Sequence, residues 1–304
     1  MGAQPVNTGE RRSPLTPALS PEGRGSKAGG ATLAQALAAA QRQGLPRLEA
    51  QMLLLHALGR ATHERAWLIA HDDDALAPDA ATRFDALCAR RLRGEPVAYL
   101  TGTKAFHGLT LRVDARVLDP RDDTETLVDW ALELLPDDRP ARVLDLGTGS
   151  GAIALALAAA RPQAEVWAVD ASADALAVAQ ANGQRLGLAV TWRHGDWLAP
   201  VAGQCFDLIV GNPPYIADGD PHLAALAHEP RQALASGPDG LRDLRAICAA
   251  APAHLAPGGW LLLEHGHDQA GAVRALLQRA GLGPVQSRFD LAGIERCSGG
   301  QRAA

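Results

Sequence analysis

Asp207-Leu208-Ile209-Val210-Gly211-Asn212-Pro213-Pro214-Tyr215 joins an apolar segment directly to a rigid corner. The apolar run is typical of a buried strand, and the two prolines end regular structure because they fix φ and lack a backbone donor. The side-chain oxygen of Asn212 and the proline carbonyls then form a cluster of acceptors at the carboxyl end of a strand. Such a cluster suits a planar NH2 group, and Tyr215 adds an aromatic face beside it. A purely structural turn closed by a packed tyrosine is the alternative interpretation.

A second segment predicts a cradle for a nucleotide. Residues 142–146 form an apolar strand, the glycine-rich run 147–151 follows, and residues 152–160 form an apolar helix. Glycines let a ligand approach the backbone, and a helix start offers free amides. About 20 residues further on, the predicted strand 165–169 ends in Asp170, which is placed to accept both hydroxyls of a ribose.

This pattern leaves a nicotinamide enzyme open, because Gly147, Gly149 and Ala152 also satisfy the relaxed dinucleotide fingerprint. Two features argue against it. Asp145 lies inside the first strand, where it can face a cationic part of a ligand, and the corner at 212–215 supplies an amine acceptor that hydride transfer does not need.

Strands and helices alternate through the second part of the chain, which predicts an α/β fold with a parallel, doubly wound sheet. Seven strands are predicted at 142–146, 165–169, 190–194, 207–210, 260–264, 284–289 and 294–298, and helices at 152–160, 173–186, 239–255 and 270–280. Ligands bind such sheets at the carboxyl edge. The candidate site residues at or beside this edge are Asp145, Gly147, Asp170, Asp196, Trp197 and Asn212.

The chain divides by composition into four segments. Residues 1–30 are rich in Pro, Gly, Ser and Arg without apolar periodicity and predict a disordered extension. Helical periodicity over 31–95 predicts a bundle of four or five helices, and alternation over 96–118 predicts an extended β-hairpin linker. The α/β domain then covers 119–304 and begins with a helix over 124–135, where Arg121 and Glu125 are interpreted as a local ion pair.

The composition of the chain limits which classes of function are expected. The 304 residues, of which 47% are hydrophobic, can bury a large core, and a net charge of -5 with a pI near 6.0 disfavours non-specific nucleic-acid binding. The four cysteines have no zinc-site or disulfide spacing, which fits a reducing cytoplasm, and the run 72–74 of three aspartates is interpreted as a solvated loop. We therefore expect no metal site. We also expect no membrane association, since the sequence contains neither a membrane-spanning run nor a signal peptide.

The motifs from about residue 31 to about residue 300 resemble the HemK/PrmC family of S-adenosyl-L-methionine-dependent methyltransferases. These enzymes modify the glutamine of the Gly-Gly-Gln tripeptide in class-1 peptide chain release factors. Asn-Pro-Pro-Tyr alone marks a broader set of methyltransferases that act on NH2 groups. Pro120-Arg121 followed by Thr124-Glu125 narrows the resemblance to the glutamine branch. Other matching segments are 93–102, 145–151, Asp170, 195–197, 212–216, 229–230, 233–234, 237–241, Glu264 and Gln269.

One departure from the family pattern lies beside the expected substrate entrance. The family reads Ile-Pro-Arg-Pro before the Thr-Glu pair, whereas this chain has Asp119-Pro120-Arg121-Asp122. The departure adds two carboxylates there.

The resemblance implies a Rossmann-like, seven-stranded class I methyltransferase domain behind a small helical domain that binds the protein substrate. It also implies a cofactor site for S-adenosyl-L-methionine, with Asp170 at the ribose, Asp196 near the adenine amino group and Trp197 against the adenine ring. The cofactor is expected to lie across Asp145, Leu146, Gly147, Thr148 and Gly149, and Asn212 is also expected to contact it.

The proposed catalytic and substrate-binding residues are those of the corner. The Asn212 oxygen and the Pro213 carbonyl would accept the two hydrogens of the substrate amide, while Pro214 and Tyr215 shape the pocket. The expected partners are class-1 release factors, with no direct nucleic acid. The alternatives are a DNA or RNA amino-methyltransferase of the Asn-Pro-Pro-Tyr type and an adaptor that binds without turnover.

Overall fold

The structure is a computed structural model that describes residues 1–2, 30–136 and 139–304. Apart from its ends, the predicted disordered extension lies outside the described residues.

In the described residues, five helices precede the α/β domain. They are α1 (Leu33–Arg42), α2 (Arg47–Ala57), α3 (Arg65–Ala70), α4 (Pro78–Leu92) and α5 (Val97–Thr101). The first begins with a capping box, in which the Thr32 hydroxyl accepts the Gln35 amide at 3.2 Å and the Gln35 side chain accepts the Thr32 amide at 3.0 Å. Buried leucines of α2, with Phe84 of α4, form a core separate from that of the sheet.

Helix α5 corrects the prediction that residues 96–118 are extended throughout. Pro96 precedes the first turn with a preset φ, and Gly102, with φ of 71°, ends the helix in the left-handed region. The hairpin that follows is shorter than predicted and consists of β1 (Thr103–Phe106) and β2 (Leu109–Arg112).

The hairpin is tied to the α/β domain by one fully buried side chain. The Asn182 oxygen accepts the Arg112 amide at 2.7 Å, and its Nδ2 donates to the carbonyls of Arg112 and Ser150 at 2.9 and 3.0 Å. Because Ser150 belongs to the glycine-rich run, this amide links the hairpin to the loop that the sequence predicts as a nucleotide cradle.

The α/β domain contains five helices and seven strands. The helices are α6 (Glu125–Leu134), α7 (Ala152–Ala160), α8 (Ala173–Leu186), α9 (Arg242–Ala250) and α10 (Ala270–Arg279). The strands are β3 (Arg142–Leu146), β4 (Glu165–Asp170), β5 (Thr191–His194), β6 (Phe206–Gly211), β7 (Leu255–Glu264), β8 (Val285–Phe289) and β9 (Glu295–Gln301). The predicted helix 239–255 is shorter, since a 3-10 helix at Ala251–His254 follows α9 and contains Pro252, which has no backbone donor.

The seven strands form one sheet in the order β5-β4-β3-β6-β7-β9-β8, so the predicted seven-stranded α/β class is confirmed. Strand β9 runs antiparallel to β7 and β8, and the other neighbouring pairs are parallel. Leu146 pairs with both Val169 and Gly211. Strands β3, β4 and β6 therefore end side by side, which brings Gly147, Asp170 and Asn212 to one edge.

Alternate residues of the central strands face two separate cores. Val143, Leu208 and Val210 pack on the side of α6 and α7. Leu144, Leu146 and Ile209 pack on the side of α9 and α10. The alternation also places Asp145 on the side of α6 and α7, because in a strand it faces the same way as Val143.

Candidate active site

Two glycines shape the loop that follows β3. Gly147 and Gly149 have φ of 70° and 56°, a region that side chains disfavour. The amides of Gly147 and Thr148 both donate to the Val169 carbonyl, at 2.9 and 3.0 Å. The loop therefore folds over the end of β4 and exposes its own backbone toward the sheet edge.

The sequence suggested that Asp145 faces a ligand; in the structure it is fully buried behind this loop, and its Oδ1 has no partner among the described residues. Its Oδ2 accepts the Thr148 hydroxyl at 2.7 Å and the Ala154 amide at 3.2 Å, so the carboxyl holds the loop to the first turn of α7. Burial raises the pKa of Asp145 to about 7, although these two hydrogen bonds act to lower the pKa. Strand alternation explains this burial, because it turns Asp145 toward α7.

Asp170 ends β4 and turns toward the glycine loop. Its two oxygens accept the amides of Gly149 and Ser172, each at 2.8 Å. Burial raises its pKa above the ordinary value, although the two backbone bonds act in the opposite direction. Because a carboxylate offers about four acceptor positions, Asp170 keeps acceptor capacity for a ligand.

Trp197 covers the glycine loop from the other side. Its backbone is left-handed, with φ of 40°, a conformation that costs about 1–3 kcal/mol for such a residue and that clusters at functional sites. A Cβ built on Gly147 would lie 3.3 Å from Cζ3 of the Trp197 ring. The ring is therefore a flat apolar wall directly beside exposed backbone, with Asp196 adjacent.

The corner after β6 presents two acceptors without a partner. Asn212 Nδ2 donates to the Thr124 hydroxyl at 3.2 Å, whereas its buried Oδ1 receives no hydrogen bond from any described residue. In the described part of the chain, the Pro213 carbonyl also receives none. Gln269 Nε2 donates to the Tyr215 carbonyl at 3.0 Å and fixes the end of the corner.

Tyr215 and Glu264 lie beneath this corner. The Tyr215 hydroxyl donates to Glu264 Oε1 at 3.3 Å, and its ring packs against the core on the α9 and α10 side. Glu264 is 1% exposed, and burial raises its pKa to about 7 while Thr124, Arg296 and Tyr215 lower it. Tyr215 thus supports the corner from behind.

A cavity of about 260 Å³ opens at this edge and gathers most of the predicted residues. Those on its wall are Gly147, Gly149, Asp170, Asp196, Trp197, Asn212 and Pro214. Of the remaining members of the prediction, Asp145, Leu146, Thr148 and Pro213 are buried near the cavity, whereas Tyr215, predicted to shape the pocket, packs against the core and is not among the residues of the cavity wall. The cavity therefore joins the nucleotide cradle to the amine-acceptor corner in a single space.

Sequence reasoning missed the supporting residues Thr124, Glu264 and Asn182. The first two fall in segments that match the family pattern, but the resemblance assigned them no role. Asn182 carried no signal, because a buried asparagine inside a helix looks like any surface amide in the sequence.

A groove of about 1000 Å³ lies between the helical bundle and the α/β domain. Charged side chains from both parts line it: Glu49, Arg60, Arg91, Lys104, Asp119, Arg121, Asp122 and Glu229. Asp122, one of the two departures from the family pattern, is paired with Lys104 at 2.8 Å.

Arg121 does not form the predicted local pair with Glu125. Its guanidinium bonds the buried carboxylate of Glu229, and Glu125 accepts the His107 amide at 2.7 Å. The reason is that Arg121 lies outside α6 in an extended conformation, with φ of -87° and ψ of 142°, rather than one helical turn before Glu125.

The described residues contain neither a metal-ligand cluster nor a membrane-spanning helix. No group of three or more His, Cys, Asp or Glu side chains is arranged to hold a metal ion within that part of the chain. None of the helices described has the length and apolar character needed to cross a bilayer.

Comparison with known proteins identifies both parts of the chain. A model of the PrmC N-terminal domain matches residues 31–102, and a model of the methyltransferase small domain matches residues 124–239. A solved methyltransferase from Pyrococcus furiosus is 18% identical, covers 71% of this chain and 98% of its own, and superposes with a TM-score of 0.52, which supports the fold.

Two relatives extend over most of the chain. The release factor glutamine methyltransferase of Bordetella pertussis is 55% identical over 260 residues, covering 84% of this chain and 95% of the relative. The protein of the same name from Xylella fastidiosa is 52% identical over 269 residues, covering 88% and 97%. At this level of identity and coverage, the chain belongs to the release factor glutamine methyltransferase family.

Proposed function

We propose that this chain transfers a methyl group from S-adenosyl-L-methionine to the side-chain amide nitrogen of the glutamine in the Gly-Gly-Gln motif of class-1 release factors. Family membership supports the reaction type and the substrate. The observation that carries the proposal concerns Asn212, a residue of the cavity wall, whose buried Oδ1 has no hydrogen-bond partner among the described residues. A buried acceptor without a partner is costly, so it points to a ligand with an N–H group to donate.

The residues around the cavity fit S-adenosyl-L-methionine. Gly147 leaves room next to the Trp197 ring that a side chain would fill, which suits a flat ligand lying against exposed backbone. The free acceptor capacity of Asp170 suits vicinal hydroxyls, and the carboxylate of Asp196 suits an exocyclic amine. When bound, this cofactor supplies an electrophilic methyl group on a sulfonium.

The corner residues would orient the substrate amide. The two N–H bonds of the glutamine side chain donate to Asn212 Oδ1 and to the Pro213 carbonyl, which fixes the plane of the amide and aims its nitrogen into the cavity. An amide nitrogen is a poor nucleophile because its lone pair is delocalised. Positioning and stabilisation of the positive charge that develops on nitrogen must therefore provide most of the rate enhancement. No strong base is required, since the proton can leave after transfer.

We propose that the protein substrate binds in the charged groove. It is lined by residues of the helical bundle and of the α/β domain, and it includes Asp119 and Arg121 from the segment that leads to Thr124. This arrangement supports a substrate-binding role for the helical domain. Release factors act in the cytoplasm, where we place this chain.

The test is transfer of labelled methyl from S-adenosyl-L-methionine to a purified class-1 release factor. A release factor whose Gly-Gly-Gln glutamine is changed to alanine and a DNA duplex serve as parallel acceptors. Label on the intact factor alone is expected. Label on the duplex would favour the nucleic-acid alternative, and binding without any transfer would favour the adaptor.

A further inference from the structure

Thr124 lies where a threonine usually caps a helix, but it does not act as a cap. It immediately precedes α6 with helical dihedrals, φ -65° and ψ -19°, and its side chain makes no capping bond. The residue is 4% exposed, and its hydroxyl accepts Asn212 Nδ2 at 3.2 Å. The hydroxyl is therefore used across the site and not within its own helix.

The two ends of the Asn212 amide are nearly the same size, so shape alone does not select which end faces the substrate. With Oδ1 outward, the amide accepts a substrate N–H. With Nδ2 outward, its N–H groups face the N–H groups of the substrate amide, which then has no acceptor on Asn212. The orientation of this amide thus controls whether the site can hold an NH2 group.

The surroundings of Thr124 favour one orientation. In the structure the Thr124 hydroxyl accepts Asn212 Nδ2 at 3.2 Å, and Thr124 is itself only 4% exposed. Among the described residues, this hydroxyl is the partner of the Nδ2 end. The opposite end, Oδ1, is buried and has no partner among the described residues.

We propose that Thr124 is a positioning residue that holds Asn212 in the one amide orientation able to accept the substrate N–H. The inference deepens the proposed function and rests on it.

The test compares two substitutions at one position. Thr124→Val keeps the shape and removes the hydroxyl, and Thr124→Ser keeps the hydroxyl. At saturating release factor, kcat of the valine variant should fall about 10- to 100-fold, the range expected when a buried donor loses its partner. The serine variant should recover activity to within about threefold of the wild type. Thr82→Val, which removes a hydroxyl bonded to the Pro78 carbonyl in α4, is the matched control and should leave kcat unchanged.

A second comparison separates positioning from a merely structural effect. In an Asn212→Asp background, measured at a pH where the new carboxyl is ionised, both ends of the side chain are acceptors, so neither orientation turns a donor toward the substrate. Thr124→Val should then change single-turnover transfer by less than about twofold, and the affinity of each Thr124 variant for S-adenosyl-L-methionine should equal that of its parent.

If the wild type transfers labelled methyl to the release factor normally, either of two results would overturn the inference. One is a valine variant with normal kcat, and the other is a loss of equal size in the aspartate background. If the wild type itself fails to label the release factor, the proposed function fails, and this inference fails with it.

Discussion

A Cβ on Gly147 would lie 3.3 Å from Cζ3 of Trp197, closer than most contacts of real Cβ atoms. Both residues have left-handed backbones, with φ of 70° and 40°. The approach forms the narrow part of the cavity that we assign to the cofactor.

Substituting Gly147 should therefore reduce cofactor affinity in addition to stability. In Gly147→Ala the new methyl displaces the Trp197 ring, and we expect the Kd for S-adenosyl-L-methionine, measured by calorimetry, to rise about tenfold or more, equivalent to about 1.4 kcal/mol. Gly187→Ala is the matched control, since φ there is 68° and no described atom lies within 4 Å of the added Cβ. Both variants should lose stability of about 1 kcal/mol from backbone strain. Equal cofactor affinity in the two would contradict the assignment.

Removing the free acceptor should separate binding from transfer. Asn212→Ala is expected to keep cofactor affinity within about threefold but to lower the rate of methyl transfer by roughly 100-fold, the size of effect seen when one preorganised polar group is removed from an active site. Cofactor binding by calorimetry and labelled-methyl transfer to the release factor provide the two measurements. A variant that methylates at the wild-type rate would show that Asn212 does not hold the substrate amide.

The ion pair of Arg121 with Glu229 should contribute more to the free energy of unfolding than an exposed ion pair does. The Glu229 side chain is 3% exposed and also accepts the Asp119 amide at 3.1 Å, so Arg121→Ala leaves a buried carboxylate without its cation. We expect urea unfolding to report a loss of about 2 kcal/mol. Arg116→Ala is the comparison, because that arginine and its partner are 48% and 47% exposed. It should cost less than about 1 kcal/mol. Losses of equal size would mean that burial of Glu229 does not strengthen its pair.

Asp145 should make stability fall as pH rises. Its pKa is about 7 in the folded protein, while in the unfolded chain it titrates near 3.8. The protonated carboxyl therefore makes its whole contribution to the free energy of unfolding below about pH 4, and this contribution is lost as pH rises through 7. Asp145→Asn does not titrate. The free energy of unfolding of the wild type minus that of the variant should fall by on the order of 2 kcal/mol between about pH 5 and pH 8. Urea unfolding at several pH values measures this difference, and a constant value across the range would show that Asp145 is ionised in the folded state.

The parts of the site that could be predicted are those whose chemistry is local. The glycines at 147 and 149, Asp170 at a strand end and the Asn-Pro-Pro-Tyr corner each follow from a short pattern, and the parallel sheet explains why they meet at one edge. The complete burial of Asp145 was not predicted, because it depends on which core its face of β3 meets. The pairing of Arg121 was misjudged because Glu229 is 108 residues away in the chain.

By itself the sequence determined the fold class, the edge of the sheet where the site lies and the acceptor at Asn212, since strand periodicity, glycine and proline act over a few residues. Only the tertiary structure decided which end of the Asn212 amide is free, what lies behind the corner and how the hairpin is held. These features depend on Thr124, Glu264 and Asn182, each of which bonds or supports a residue more than 30 positions away. Hydrogen bonds between distant buried groups leave no periodic signal in the chain, because their partners become neighbours only when the cores have packed.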